Sequence, residues 1–379
     1  MTSGPLPPAI VQPAPYEVSY GLVTGWVAAG TRRIVVRAGG RVLADTPLRG
    51  RHFTLRLDLP ARELVLSVTS VGRFGGRATS RVADVVGLPR AASPVARNPR
   101  EDAVLARQVR RLIGGFGATS AVYVENLVDG RGTAWNARAR LPAASTLKLA
   151  IAIAVLAHED GTPGPGTRLD WLLRRMLEES DNGAADDLEV ALAGSTSAGG
   201  HVVDGLMREL GLTDTLMYGG YVRDLASVDS SVDDHGDDGP IVLRDDDQPS
   251  FGPGKYTSAR DLSGLLRALW QASAGRGPLR RNEPGFNGHD SRHLLYLLAH
   301  VDDTGKLDRE VRKLNGVEVL HKAGWISSAR HDNGLVFWPG GVLVVTVMTY
   351  RAGGVGSSSD VLAGRIAWLA LRRYSTRPT

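Results

Sequence analysis

The chain has 379 residues, 42% of them hydrophobic, which is enough for two domains with buried cores. It contains no cysteine, which excludes a disulfide framework, a cysteine-ligated metal site and a thiol nucleophile. The formal net charge is +5, but the arginines are scattered and no basic block with interleaved aromatic residues occurs, so nucleic-acid binding is not favoured.

The first part of the chain predicts a small β domain behind a flexible lead-in. Residues 1–15 are rich in proline, as in disordered segments. Residues 16–88 contain short alternating apolar runs, such as 33–37 and 53–57, separated by glycine and proline. We predict a small sandwich, immunoglobulin-like in type, without a constellation of catalytic side chains. Residues 89–99, rich in proline, alanine and arginine, predict a linker.

The remainder of the chain, residues 100–379, predicts an α+β domain. Strand patterns near 120–127 and 132–136 follow a helix at 101–113, and strand patterns at 317–323, 333–338 and 342–349 precede a helix at 359–374. Strands at both ends with helices between them indicate an antiparallel sheet in which the two ends meet, with a helical subdomain inserted. The expected site lies at the junction of sheet and subdomain.

A serine and a lysine stand at the head of the longest apolar run, as Ser145-Thr146-Leu147-Lys148. In the first turn of a helix this spacing places the hydroxyl and the amine on one face. The chain has five lysines against forty arginines, and only lysine can lose its proton and act as a base. Alone, such a pair is usually an N-cap serine followed by a solvated lysine.

Two further elements follow in the chain. Ser180-Asp181-Asn182 would by itself be a helix start, and Lys322-Ala323-Gly324 would be a turn. The order Ser-x-x-Lys, Ser-Asp-Asn, Lys-x-Gly is the set found in class A β-lactamases and penicillin-binding proteins, and the chain resembles this superfamily. Flanking segments at 172–185, 210–215, 256–262 and 331–341 extend the resemblance over roughly residues 100–379.

The resemblance implies a β-lactamase-like fold and a set of site residues. The implied catalytic residues are Ser145, Lys148, Ser180 and Lys322, and the implied substrate-binding residues are Asn182, Ala323, Gly324, Trp325 and Arg330.

Each implied residue has a role in forming an acyl-enzyme. Ser145 attacks an amide carbonyl and Lys148 accepts its proton, although Lys148 could instead be a structural ammonium that binds Ser145 and Asn182. Ser180 passes a proton to the leaving nitrogen beside the positive field of Lys322.

Substrate contacts are implied in the same way. Asn182 binds the side-chain amide of the substrate, and the backbone N–H groups of Ser145 and Trp325 stabilise the oxyanion. Gly324 lets the substrate lie close to its strand. Ala323 stands where the family usually has a hydroxyl for the substrate carboxylate, and Arg330 is the expected replacement; the alternative for Arg330 is a salt bridge to Asp332.

One part of the family pattern is missing. Class A β-lactamases carry an acid in a loop after the Ser-Asp-Asn helix, which activates the water that releases the acyl group. Residues 215–224 contain no glutamate, and Tyr218 or Tyr221 occupies the place, with Asp214 and Asp224 as nearby acids. Deacylation is therefore expected to be slow.

Three functions stay open. The first is a class A-like serine hydrolase that opens β-lactams or a related amide, the second a penicillin-binding-protein-like D-alanyl peptidase of the cell wall, and the third a non-catalytic protein that binds β-lactams or peptidoglycan. The expected partner is a β-lactam or a peptidoglycan-derived small molecule, with no nucleic acid and with cell-envelope association as a further option.

No cofactor and no metal are expected. The aspartate-rich stretch 224–255 fits no EF-hand spacing, so we interpret it as an exposed insertion. Residues 1–20 lack the pattern of a signal peptide and no run of eighteen apolar residues occurs. The resemblance nevertheless implies an extracytoplasmic location.

Overall fold

The computed structural model describes residues 6–159, 161–223, 248–251 and 254–375. They form two compact units that divide the chain between Ser93 and Pro94, with Phe337–Gly341 grouped with the first. This division falls inside the segment 89–99, for which a linker stays a prediction. Most of the aspartate-rich stretch, residues 224–247 and 252–253, lies outside the described residues.

The first unit is all-β, as the sequence predicts. Its strands are β1 (Ala9–Gln12), β2 (Glu17–Ser19), β3 (Leu22–Trp26), β4 (Thr31–Ala38), β5 (Arg41–Pro47), β6 (His52–Arg56), β7 (Arg62–Gly72) and β8 (Arg77–Gly87). In the described part they form one sheet in the order β1-β3-β6 and another in the order β2-β8-β7-β4-β5. Alternate side chains of these strands, including Ile34, Phe53, Leu66 and Val68, form a common apolar core.

The second unit combines one main sheet with helices. Its strands are β9 (Arg100–Glu101), β10 (Thr119–Asn126), β11 (Arg131–Trp135), β12 (Leu141–Pro142), β13 (Tyr256–Thr257), β14 (Glu318–Ile326), β15 (Ala329–Trp338) and β16 (Gly341–Tyr350). Its helices are α1 (Ala103–Gly114), α2 (Lys148–His158), α3 (Arg168–Leu177), α4 (Asn182–Ala193), α5 (Thr196–Glu209), α6 (Ala259–Ala272), α7 (Gly277–Asn282), α8 (Gly288–Leu298), α9 (Asp308–Val311) and α10 (Ser358–Tyr374). None of these helices is long and apolar enough to cross a membrane.

The main sheet joins the two ends of the second unit, which confirms the predicted α+β architecture. Its described strands have the order β14-β15-β16-β10-β11-β9, and β10 pairs antiparallel with β16 in the register Val122↔Val347. Helices α2 to α5 come between β11 and β14 in the chain and pack on one another. The early strands and the late strands therefore share one sheet, with a helical region inserted between them.

Helix α2 is the centre of the helical region. Every residue from Lys148 to Leu156 is buried, so this helix is enclosed on all sides rather than on one face. It contacts α3, α4, α5 and α8. Because the apolar residues after Lys148 pack in the interior, the lysine at the first position of the helix is buried with them.

A buried ion pair holds the loop between α5 and β13. Asp214 accepts hydrogen bonds from Arg138 at 2.9 and 3.1 Å, and Arg140 lies 3.8 Å away. The backbone N–H of Asp214 donates to Asp261 at 2.7 Å. Burial and the nearby Asp214 charge raise the pKa of Asp261 to about 7. Because two arginines engage the Asp214 carboxylate, we assign it a structural role rather than one in activating water.

We expect Asp214→Asn to lower the free energy of unfolding by about 3–5 kcal/mol, because it removes the buried carboxylate that Arg138 and Arg140 engage. Thermal or denaturant unfolding measures this loss. Asp58→Asn, at an exposed aspartate of the first unit, is the matched control and should change stability by less than about 0.5 kcal/mol. Equal effects of the two substitutions would show that the ion pair contributes nothing.

Candidate active site

The turn that carries Ser145 is held from both sides. Ser145 lies in a short 3₁₀ turn, Ala144–Leu147, that leads directly into α2. The preceding residue, Ala144, has a φ of 48°, a left-handed conformation that costs energy for any residue with a side chain. Backbone pairing supports it, since Ala143 N–H donates to the carbonyl of Lys255 at 2.9 Å. The strain therefore persists because the surroundings fix the turn.

A buried histidine anchors the same turn to the main sheet. His331 on β15 donates through Nε2 to the carbonyl of Pro142 at 2.7 Å, and Nδ1 accepts from Thr349 N–H at 3.2 Å. Burial lowers the pKa of His331 to about 4, so the ring is neutral at physiological pH. A neutral ring can donate with one nitrogen and accept with the other, which both bonds require.

Lys148 is fully buried and points to the segment before α4. Its Nζ donates to the carbonyl of Ser180 and to Oδ1 of Asn182, each at 2.6 Å, and lies 3.5 Å from Oγ of Ser180. Burial, followed by the charge of Lys322, lowers the pKa of Lys148 to about 7. A large fraction of this amine is therefore neutral near pH 7.

The sequence predicts that Ser145 and Lys148 lie on one helical face, and the structure shows which groups the Lys148 amine binds. Among the hydrogen bonds between described residues, none joins Lys148 Nζ to Ser145 Oγ. The amine is instead held at Ser180 and Asn182. Hydrogen bonds between catalytic groups are often long before substrate binds, so this arrangement is compatible with proton transfer.

The Ser180–Asn182 segment is shaped by the start of α4. Asp181 caps the helix by accepting from Ala184 N–H at 2.7 Å, and Arg175 pairs with the other carboxylate oxygen at 2.7 Å. Ser180 has a φ of 60°, again left-handed for a residue with a side chain. This conformation turns the Ser180 carbonyl toward Lys148 and its hydroxyl toward Lys322.

Lys322 on β14 completes the pair of buried amines. Its Nζ donates to Ser180 Oγ at 2.9 Å and to the carbonyl of Ala323 at 3.1 Å. Burial lowers the pKa of Lys322 to about 8, and the charges of Asp303 and Asp332 offset this only in part. Two amines with lowered pKa values thus lie within 3.5 Å of one serine hydroxyl.

Strand β14 passes very close to the serine turn. A Cβ atom on Gly324 would lie 2.8 Å from the backbone nitrogen of Ser145 and 2.9 Å from that of Thr146. Both contacts are with backbone, so a side chain at this position would push the strand away. Ala323 is buried, whereas Trp325 is 58% exposed.

The side chain of Arg330 pairs with a residue that the sequence did not predict as its partner. Its Nη2 and Nε donate to the carboxylate of Asp360 on α10 at 2.7 and 3.2 Å, and its guanidinium lies 5.7 Å from the ring centre of Trp325. The alternative of a salt bridge to Asp332 is wrong, because the Arg330 guanidinium pairs with Asp360 while Asp332 accepts from His321 at 2.9 Å. Since Asp360 engages only part of the guanidinium, binding of a substrate carboxylate by Arg330 stays a prediction.

The loop with the two predicted tyrosines is fastened to α4. Asp186 accepts from the backbone N–H groups of Tyr221 at 2.5 Å, Val222 at 3.0 Å and Arg223 at 2.7 Å. Tyr218 packs its ring edge-on against His201 on α5, with ring centres 6.1 Å apart. The structure therefore places Tyr218 against α5, and Asp224 lies outside the described residues.

Tyr221 lies beside Lys148. Its ring centre is 4.8 Å from Nζ of Lys148 and 4.4 Å from Nζ of Lys255, which also donates to the carbonyl of Gly220 at 2.5 Å. The Tyr221 hydroxyl is buried and has no hydrogen-bond partner within the described ranges. Burial and the charges of Glu189 and Asp186 raise the pKa of Tyr221 well above its usual value, which rules this phenol out as a base near neutral pH.

Sequence reasoning missed a buried acid next to this loop. Glu189 on α4 has no solvent exposure, and neither carboxylate oxygen has a hydrogen-bond partner among the described residues. Burial raises the pKa of Glu189 to about 8, against the opposing effect of Lys255. Glu189 follows Asn182 by two helical turns, and this spacing is the signal that could have placed it on the same face.

Comparisons with known proteins identify the family of the chain. A model of the β-lactamase enzyme family matches residues 104–162 and 159–374. No curated protein sequence matches the chain. Among the described residues, no group of three or more histidine, aspartate or glutamate side chains could hold a metal ion.

Three solved structures show the similarity of fold. PBP-A is 19% identical with a TM-score of 0.57, and the match covers 75% of this chain and 100% of that one. A class A β-lactamase from Bacteroides cellulosilyticus is 16% identical with a TM-score of 0.55, covering 74% and 100%. The β-lactamase from Sphaerobacter thermophilus is 20% identical with a TM-score of 0.52, covering 73% and 98%. At these identities the likeness concerns the fold alone.

Proposed function

Because the chain belongs to the β-lactamase enzyme family, we propose that it is a serine hydrolase whose Ser145 is acylated by a β-lactam or a related amide. The observation that carries this proposal is the convergence of Lys148 and Lys322 on the hydroxyl of Ser180, with both pKa values lowered. A lysine that served only as a solvated surface charge would not be buried at this place. The family's usual setting also leads us to propose an extracytoplasmic location.

Acylation begins with proton transfer. The Ser145 hydroxyl loses its proton to the neutral amine of Lys148, and its Oγ forms a bond to the substrate carbonyl carbon. The amide C–N bond then breaks as Ser180 gives its proton to the leaving nitrogen, and Lys148, whose Nζ lies 3.5 Å from Ser180 Oγ, returns to Ser180 the proton that it took from Ser145. Lys322, 2.9 Å from Ser180 Oγ, favours loss of that proton from the hydroxyl. The Ser145 proton thus reaches the leaving nitrogen through Lys148 and Ser180, and both groups recover their starting protonation states.

Substrate is held by groups around this centre. The backbone N–H groups of Ser145 and Trp325 are our candidates for the oxyanion hole, supported by the close approach of β14 to the serine turn at Gly324. Asn182, whose side chain is exposed beside Lys148, would bind the amide of the acyl side chain. Arg330 beside Trp325 would receive a carboxylate.

Release of the acyl group is expected to be slow. The Tyr221 ring lies against Lys148, where a water would otherwise reach the amine, and its phenol is not a base near neutral pH. Glu189 is an acid of the neighbouring helix α4, but it is fully buried. This arrangement also favours a second candidate function, a penicillin-binding-protein-like D-alanyl peptidase that keeps its acyl-enzyme long enough for a chosen acceptor.

We expect penicillin G to add one acyl group to the protein, detected as a mass increase equal to the drug, with the adduct mapped to Ser145. A chromogenic cephalosporin should give a burst of product equal to the enzyme and then a slow steady rate. Ser145→Ala is the control and should gain no mass. Absence of an adduct in the wild type, or an unchanged adduct in Ser145→Ala, would contradict the proposal and leave a non-catalytic binding protein.

We expect the rate of acylation to rise with pH around a midpoint of about 7, because Lys148 must lose its proton before it can accept one. The rate of acylation therefore decreases as the pH falls below about 7. Lys148→Arg should slow acylation by about a hundredfold or more, the typical contribution of a positioned base. Lys313→Arg on the surface is the control. A wild-type rate in Lys148→Arg would reduce Lys148 to a structural residue.

We expect Tyr221→Ala to shorten the lifetime of the penicillin adduct by about tenfold or more, since it opens a path for water to Lys148. Tyr221→Phe should keep the lifetime, because the ring and not the hydroxyl excludes water, and should not lower stability. Time-resolved intact mass measures the lifetime. Tyr218→Ala is the matched control, and an equal shortening by both alanine variants would mean that loosening the loop, not the position of Tyr221, controls release.

A further inference from the structure

The first unit carries a strong excess of positive charge. Residues 1–93 contain twelve arginines, no lysine and five acidic residues, whereas the whole chain has a net charge of only +5. The remaining residues are therefore slightly negative. A positive charge excess that is confined to one unit, and to a unit without catalytic groups, indicates an anionic partner.

A groove lies at one end of this unit. Its lining comes mainly from residues 27–30 between β3 and β4, from Arg51 at the end of the connection between β5 and β6, and from Arg73, Phe74 and Gly76 between β7 and β8. Leu6, Pro7 and Ala9 complete the lining on the side of the N-terminal segment. The register places the three connections together, because Trp26 pairs with His52 and Thr31 with Gly72. The cavity is about 950 Å³, the size of a ligand site. We name it the sandwich-end groove.

The lining of the sandwich-end groove is both cationic and aromatic. Arg32, Arg51 and Arg73 are exposed around it, and none of its described lining residues carries a carboxylate. Trp26 is 55% exposed and Phe74 is 82% exposed, so two large rings face solvent at the same place. Exposed aromatic rings in a concave surface are costly without a ligand and are typical of binding sites.

From this lining we propose that the sandwich-end groove binds a strand of acidic polysaccharide. A sugar ring offers an apolar C–H face to Trp26 or Phe74, and its carboxylate meets an arginine, which is suited to planar anions. Both kinds of contact thus come from one repeating unit of the ligand. The first unit then serves to hold the protein on an anionic glycan.

The shape of the groove favours a glycan over other anions. A peptide strand would add to a free sheet edge through backbone hydrogen bonds, whereas this groove is walled mainly by turns. Tight nucleic-acid binding usually neutralises about six to ten phosphates, and the groove offers three arginines.

The test measures binding of the full chain to polygalacturonate by calorimetry at low and at physiological salt. Trp26→Ala and Arg73→Ala should each weaken binding by about tenfold or more, as expected for central aromatic and arginine contacts. Arg41→Ala changes an exposed arginine of the same unit that does not line the groove, and it should weaken binding by less than about twofold. Neutral dextran of the same length should not bind.

Several results would overturn the proposal. Absence of polygalacturonate binding would do so, as would an equal loss in Arg41→Ala, which would mean diffuse attraction by charge alone. Equal or tighter binding of poly-L-glutamate, of a thymidine oligonucleotide or of anionic phospholipid vesicles would assign the groove to a peptide, a nucleic acid or a membrane instead. Acylation by penicillin should be the same in all three variants, because none of these residues belongs to the candidate active site.

Discussion

Two amines held out of water at a single hydroxyl are the constraint on which the candidate site depends. Lys148 and Lys322 are both fully buried and both lie within 3.5 Å of Ser180 Oγ. Burying two ammonium groups side by side would be unfavourable, and the lowered pKa values express this. The protein thereby obtains an uncharged amine near neutral pH, which is what a serine nucleophile needs.

Three parts of the chain must meet to maintain this arrangement. Helix α2 supplies Lys148, the start of α4 supplies the Ser180 carbonyl and Asn182, and β14 supplies Lys322. Contacts that do not involve the two amines hold these parts in position. His331 ties the serine turn to β15, and Gly324 allows β14 to approach that turn. The site is therefore a property of the packing, not of any single motif.

The sequence predicted the all-β first unit, the α+β second unit and the family, because strand alternation and ordered motifs are local patterns. It could not predict the surroundings of Tyr221 and Glu189, since Lys148, Glu189 and Lys255 come together only in the folded chain. The partner of Arg330 was missed for the same reason: Asp360 is thirty residues away on another element. The roles of the site residues themselves stay predictions until acylation is measured.

The state of Lys148 can be observed directly, because the chain has only five lysines. Protein labelled with ¹³C-lysine gives a small set of side-chain NMR signals, and Lys148→Arg and Lys322→Arg identify two of them. The account predicts that the Lys148 signal titrates with a pKa of about 7 and the Lys322 signal with a pKa of about 8. Titration of Lys148 near the ordinary lysine value of about 10.4 would contradict it, because the amine would then be an ammonium at neutral pH and no base for Ser145.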